Sequence, residues 1–267
     1  MTAMSYIVPI HRQSLRDLTP ARVSLHTAGH SIATDEVLSF QLAHAKARDA
    51  VQAALDLSSF AQRIRTELPI LIQASIPVLQ LHSNAPDRGA YLRQPNLGRT
   101  LHPDSVAQLR PVSCQLAIVI ADGLSALAIE RNAIPVLAHL IPKLLANNWT
   151  IAPLTLVQQG RVGICDPIGL SLGARCSLIF IGERPGLSSS DSMGAYLTWS
   201  PHPDRTDADR NCLSNIRNGG LSPEAAAVRL FWYLQTARAK QLTGISLKEG
   251  SLEHGLAATP AKNRISP

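Results

Sequence analysis

From Leu116 onward, apolar and polar positions fall into blocks. Leu116–Ala121 (LAIVIA) is an unbroken apolar run that stops at Asp122-Gly123. A short run of this kind bounded by a turn pair predicts a strand covered on both faces. Thr150–Val157 predicts the next strand, closed by Gln158-Gln159-Gly160-Arg161, and Ser177–Ile181 another, broken at Gly182 into Glu183, Arg184, Pro185 and Gly186. Between them Ser125–Asn147 has the spacing of a helix, although Pro135 and Pro142 predict a break or kinks. Ile164–Leu172 includes a short helical piece. Strands alternating with helical segments predict a mainly parallel, right-handed, Rossmann-like α/β sheet flanked by helices. In such a sheet the three polar strand ends share one edge and form a concave rim, where open α/β folds bind ligands. The long stretch from Gly182 to Asn215 is then a loop on that rim.

The flanks are patterned differently. Residues up to about 33 look irregular, punctuated by Pro9, Pro20 and Gly29. Thr34 is placed to cap a helix with Asp35 and Glu36 in its first turn. Val37, Leu38, Gln41, Leu42 and Ala45, with Ala50, Ala53, Ala54 and Leu55 further on, predict a closely packed apolar side. The opposite face carries His44, Lys46, Arg48 and Asp49, and suits either plain solvation or a partner. Val78–Leu81 predicts the first strand of the sheet. After it comes a loop rich in glycine, proline and charge. Ser222-Pro223-Glu224 is a helix start, with Ala227, Leu230, Phe231, Leu234 and Ala237 on the covered face and Gly244 as the stop. The expected division is an irregular and helical region over 1–75, an α/β domain over 76–250 and a loose tail over 251–267.

Composition narrows the function classes. With 45% hydrophobic residues in 267, the chain builds a full core. No run approaches a membrane helix and the first residues lack a secretory pattern, so a cytoplasmic protein is expected. The formal charge of +6 comes from scattered basic residues, and only four Tyr and four Phe are available to stack on bases, which argues against nucleic acid. Cys114, Cys165, Cys176 and Cys212 contain no C-x-x-C pair; three look like core thiols, and Cys212 lies in a polar stretch without a visible base. His26 and His30 are four apart, but Gly29 between them predicts a turn rather than a metal-binding helix face. No phosphate-loop, dinucleotide or nucleophile-elbow motif is present. Pattern alone therefore ends at an α/β chain with a binding rim and no catalytic set of its own.

Several long segments carry a resemblance: DRGAYLRQPNLGRTL, VQQGRVGICDPIG, IGERPGLSSSDSMGAYLTWSPHPDRTDADRNCLSNI and GLSPEAA. They are similar to the small (light) subunit of ethanolamine ammonia-lyase, and the similarity runs from about Asp17 to Lys248. The resemblance implies adenosylcobalamin as cofactor and a large, catalytic (β/α)₈-barrel subunit as partner. It further implies conversion of ethanolamine to acetaldehyde and ammonia, in a hetero-oligomer of paired subunits that is free in the cytoplasm or enclosed in a bacterial microcompartment. By the same resemblance, Val162, Glu183 and Cys212 fall on the family's cobalamin contacts, and no residue of this chain is catalytic. Glu183 then accepts from the amides around the corrin; without the resemblance its reading is a surface ion pair with Arg184 or Arg205. His26-Thr27-Ala28-Gly29 has half of the base-displacing D-x-H-x-x-G motif, with Ser24 in place of the aspartate. No histidine of the chain is therefore expected to ligate cobalt.

Overall fold

In the computed structural model, residues 12–19 and 21–247 are described. The chain enters through a short helix α1 (Arg12–Leu18) and a ladder of β1 (Thr27–Ala28) with β2 (Ser31–Ile32). The stretch expected to be irregular is therefore partly structured. Gly29 turns the ladder with a φ of 64°, so His26 and His30 share no helix. Then follow α2 (Thr34–Gln52), α3 (Leu57–Glu67), α4 (Pro69–Gln73) and β3 (Val78–His82). Two short helices, α5 (Arg88–Arg93) and α6 (Pro103–Val106), occupy the next connection. The remainder alternates as β4 (Leu116–Ala121), α7 (Ala126–Ala146), β5 (Leu154–Gln158), α8 (Cys165–Ser171) and β6 (Cys176–Gly182). It ends with β7 (Met193–Trp199), β8 (Arg210–Ile216) and α9 (Pro223–Lys240).

Six strands form one sheet in the order β3-β5-β4-β6-β7-β8. The first four are mutually parallel, and β7 and β8 add antiparallel at one edge. The expected mixed α/β architecture holds, but two strands lie inside the stretch that pattern assigned to a loop. Alternation splits the core between the faces. Leu116, Ile118, Ile120, Leu178 and Phe180 pack under α7 and α9, whereas Ala117, Val119, Ala121, Ile179 and Ile181 pack with Ile168 and Leu172 of the α8 segment. The connection after β4 thus leaves on one face and that after β5 on the other, as right-handed crossovers in opposite directions require.

Helix α7 runs through Pro135 and Pro142, so of the break or kinks expected there the break does not occur. Each proline forfeits one backbone bond at a cost of about 3 kcal/mol. Burial of Ile134, Val136, Leu137, Leu140, Ile141 and Leu144 on the same helix offsets that loss. Ser222 caps α9 as expected, its Oγ accepting from the Ala225 amide at 3.2 Å. The helix stops earlier than expected: Gln241, at a φ of 55°, makes the left-handed turn, before Gly244.

Helix α2 departs most from its pattern. Ala33 is the N-cap, without a side-chain bond, and Thr34 is already helical. The helix ends at Gln52, so Ala53, Ala54 and Leu55 lie beyond it. Only Ala47 and Ala50 of the helix are buried, whereas Leu38 and Leu42 are 58% and 57% exposed. Its alanine side packs on the body and its leucine side faces out. The expected tail beyond Lys248 lies outside the described residues. Among the described residues no helix is long and apolar enough to cross a membrane.

Candidate functional site

The carboxyl ends of β5, β4 and β6 stand side by side and bring their polar loops to one edge, as the parallel reading requires. The switch point of an open sheet lies where neighbouring connections leave on opposite faces, here between β4 and β5. That crevice is filled by the chain itself. Arg88 Nη1 donates to the Gly123 carbonyl at 2.8 Å and to Gln159 Oε1 at 3.2 Å, and lies 3.9 Å from Asp122 Oδ2. Tyr91 donates its hydroxyl to the Gly160 carbonyl at 3.1 Å and is flanked by Arg88 at 4.8 Å and Arg161 at 4.2 Å from its ring centre. A dinucleotide seated in this crevice would collide with Arg88, so a ligand must sit further out.

Glycines set how closely the loops approach. Gly123 has a φ of 59°, and a Cβ on it would come within 2.3 Å of the Gly182 carbonyl oxygen. A Cβ on Gly182 would in turn meet the Ser125 oxygen at 2.1 Å. Neither position accepts a side chain, so the β4 and β6 ends are locked together just before Glu183.

Glu183 forms no ion pair with Arg184 or Arg205. Its carboxylate accepts from the hydroxyl of Ser192 and from that of Ser214, and from the Asn215 amide at 3.3 Å. Its own amide donates to the Ser192 carbonyl at 2.9 Å. These contacts tie the β6 end to β7 and β8 and hold the half-buried carboxylate in one orientation. Cys212 on β8 is paired in register with Tyr196 on β7, whose hydroxyl lies on the side of its sulfur. Cys212 is exposed. Its thiol is nevertheless held above the usual range, first by desolvation and then by the Glu183 charge, while the Tyr196 hydroxyl opposes both. A thiol raised in this way is a poor nucleophile. Cys114, Cys165 and Cys176 are buried, as expected of core thiols, and burial pushes Cys165 up to about 12.

Val162 opens the one-turn helix Val162–Ile164 between β5 and α8 and packs at the margin of the second core, as does Tyr196. The other face of β7 and β8 buries Ala195, Leu197, Leu213 and Ile216 beneath α7 and α9. Alternation therefore puts Glu183, Tyr196, Cys212 and Ser214 on the face that also carries Val162. Glu183 and Cys212 are neighbours, and Val162 stands apart. From β5 to β8 is four strand spacings, roughly 19 Å. A ligand meeting all three must be broad.

Two features escaped sequence reasoning. One is a buried ion pair below this surface. Arg210 reaches both carboxylate oxygens of Asp166, Nη1 to Oδ1 at 2.9 Å and Nη2 to Oδ2 at 2.6 Å, with side chains 3% and 1% exposed. The second is a cleft of about 480 Å³ between α2 and the rim, whose walls include Arg48, Arg161 and Arg184. Neither has a local signal, because each joins residues far apart in sequence.

Fold and rim together define a mixed α/β protein whose strand ends make a broad polar edge. The family model "Ethanolamine ammonia-lyase light chain (EutC)" matches residues 11–248. The ethanolamine ammonia-lyase small subunit of Pseudomonas putida (strain W619) is 46% identical over 257 residues, spanning 94% of this chain and 92% of its own length. That of Azotobacter vinelandii (strain DJ / ATCC BAA-1303) is 46% identical over 243 residues, 89% of this chain and 87% of its own. That of Pseudomonas aeruginosa (strain LESB58) is 47% identical over 241 residues, 88% and 86%. The chain belongs to the ethanolamine ammonia-lyase light-chain family.

Proposed function

We propose that this chain binds adenosylcobalamin at its interface with the large subunit of ethanolamine ammonia-lyase, in a complex that converts ethanolamine to acetaldehyde and ammonia. The observation that carries the reading is that Val162, Glu183 and Cys212 lie toward the same side of the sheet in a chain of this family, Glu183 half-buried and Cys212 exposed. The residues fit the group. A corrin is a wide disc with apolar faces and an amide rim, and this surface offers an oriented carboxylate acceptor, an uncharged thiol and a valine across several strands.

When bound, the cofactor supplies homolysis of its cobalt–carbon bond, the chemistry that starts hydrogen abstraction from the substrate. The residues of this chain hold and cover. Glu183, fixed by Ser192 and Ser214, accepts from rim amides; Val162 and the Tyr196–Cys212 pair supply dry surface that keeps water out. No proton transfer is assigned to them. Substrate and its catalytic partners belong to the large subunit.

A second reading makes this chain a structural or assembly subunit. It is favoured by the way the Glu183 carboxylate is engaged, accepting from Ser192, Ser214 and the Asn215 amide and so joining the β6 end to β7 and β8. The deciding experiment measures adenosylcobalamin-dependent ethanolamine deamination by this chain alone, by the large subunit alone and by both co-expressed. Activity confined to the co-expressed sample supports the shared site. Full activity of the large subunit alone reduces this chain to an accessory, and activity of this chain alone overturns both readings.

A further inference from the structure

The cleft between α2 and the rim has an unbalanced charge. Arg48 comes from α2, Arg161 follows β5 and Arg184 follows β6, and His44 lies beside them; among the described residues no Asp or Glu lines the walls. Among the described residues only Asp49 brings a carboxylate near any of these cations. Arg161 donates to the Tyr91 carbonyl at 3.1 Å and lies against its ring, and its buried Nε has no partner among the described residues. Arg184 has no carboxylate partner among the described residues. Arg48 comes only within 3.8 Å of its sequence neighbour Asp49, both side chains being at least 70% exposed. A second hollow of about 330 Å³ shares Gly186 and Leu187 with the first and adds Arg22, Lys46 and Leu42. Its one acid, Asp191, is already held by Arg131 at 2.7 Å.

Clustered like charges repel, and a fold keeps them at a surface where a ligand brings the opposite charge. The neighbouring surface is apolar. Leu42 is 57% exposed at the second hollow, and Leu187, shared by both, is 41% exposed. A free small anion would leave those side chains in water. A second copy docking by the same surface would bring the same cations to the contact. We propose that the occupant is an acidic segment of the large subunit, its carboxylates meeting Arg48, Arg161 and Arg184 and its apolar side chains covering Leu42 and Leu187. This inference rests on reading the chain as the partner of a large subunit. It assigns the charged face of α2 to a partner rather than to solvent.

The test uses the full chain and the full large subunit, purified separately, with their dissociation constant measured at low and high salt. The Arg48→Glu/Arg184→Glu variant is expected to bind about tenfold or more weakly and to lose much of the salt dependence. Lys240→Glu, at the end of α9, is expected to bind like the wild type. Arg48 and Arg184 are exposed, so the variant folds, and an unchanged thermal unfolding curve verifies this. Equal binding by the double variant and wild type overturns the proposal. So does wild-type binding of pyrophosphate that the double variant loses, or self-association of the free chain that the double variant abolishes. Failure of the wild-type chain to bind the large subunit at all brings down the subunit reading as well, which separates the two kinds of failure.

Discussion

Three donors hold the Glu183 carboxylate, so any further acceptor capacity is aimed before a ligand arrives. Preorganisation of this kind removes an ordering cost from binding. Glu183→Ala is therefore expected to weaken cobalamin binding by the assembled complex about tenfold, the worth of a hydrogen bond to a charged group. Cys212→Ala, which removes one sulfur from an exposed position, should cost no more than about threefold on the scale of a single small contact. Equilibrium dialysis of both variants checks this, and equal losses would overturn the ranking. Asp122 poses a different question. It is fully buried, and desolvation raises its carboxyl to about 6 against the opposing pull of the Gln159, Gly160 and Gly123 amides and of Arg88. A carboxyl whose folded pKa exceeds its unfolded value stabilises the native state below the unfolded pKa and loses that contribution as pH rises through the folded one. Between pH 4 and pH 7 the wild type should lose about 2 to 3 kcal/mol relative to Asp122→Asn, measured by urea unfolding. Parallel pH profiles would mean that Asp122 titrates in the ordinary range.

Among the elements, α8 and β8 depend on one another through Arg210 and Asp166. Arg210 also donates to Thr198 Oγ1 at 2.8 Å, so the pair fastens a helix on one side of the sheet to two antiparallel strands. Removing one partner of a buried pair strands the other charge, so Arg210→Ala should cost about 3 to 5 kcal/mol in chemical unfolding. The Arg210→Met/Asp166→Leu double variant should recover most of it. These strands were also the ones that pattern did not disclose. β4, β5 and β6 are covered on both faces and announce themselves as apolar runs, whereas β7, though largely buried, mixes Gly194 and Thr198 into its sequence and β8 is covered mainly on one face. In β8 the sequence Arg210–Ile216 buries only Arg210, Leu213 and Ile216, too sparse a signal to separate from a polar loop. Helix α2 failed in the opposite sense. Its periodicity was plain, but periodicity cannot say whether an apolar side meets the same chain.

For the whole molecule, the position of the rim was legible because alternating strands and helices force the loops of a parallel sheet to one edge. The residues of the rim were not legible from pattern. Val162 looks like any valine after a strand and Cys212 like any surface cysteine; resemblance alone singled them out, and their placement on one face needed the pairing of β7 with β8. The filled crevice was hidden for the same reason, since Arg88 reaches Asp122 and Gln159 across intervening strands and helices. The seat of α2 bears on how the free chain behaves. Held by Ala47 and Ala50 and showing leucines to water, the helix has little to keep it down, and weakly anchored elements open at low free energy. Opening of α2 would bare further apolar surface, so the free chain is expected to self-associate as its concentration rises, which light scattering of a dilution series would detect.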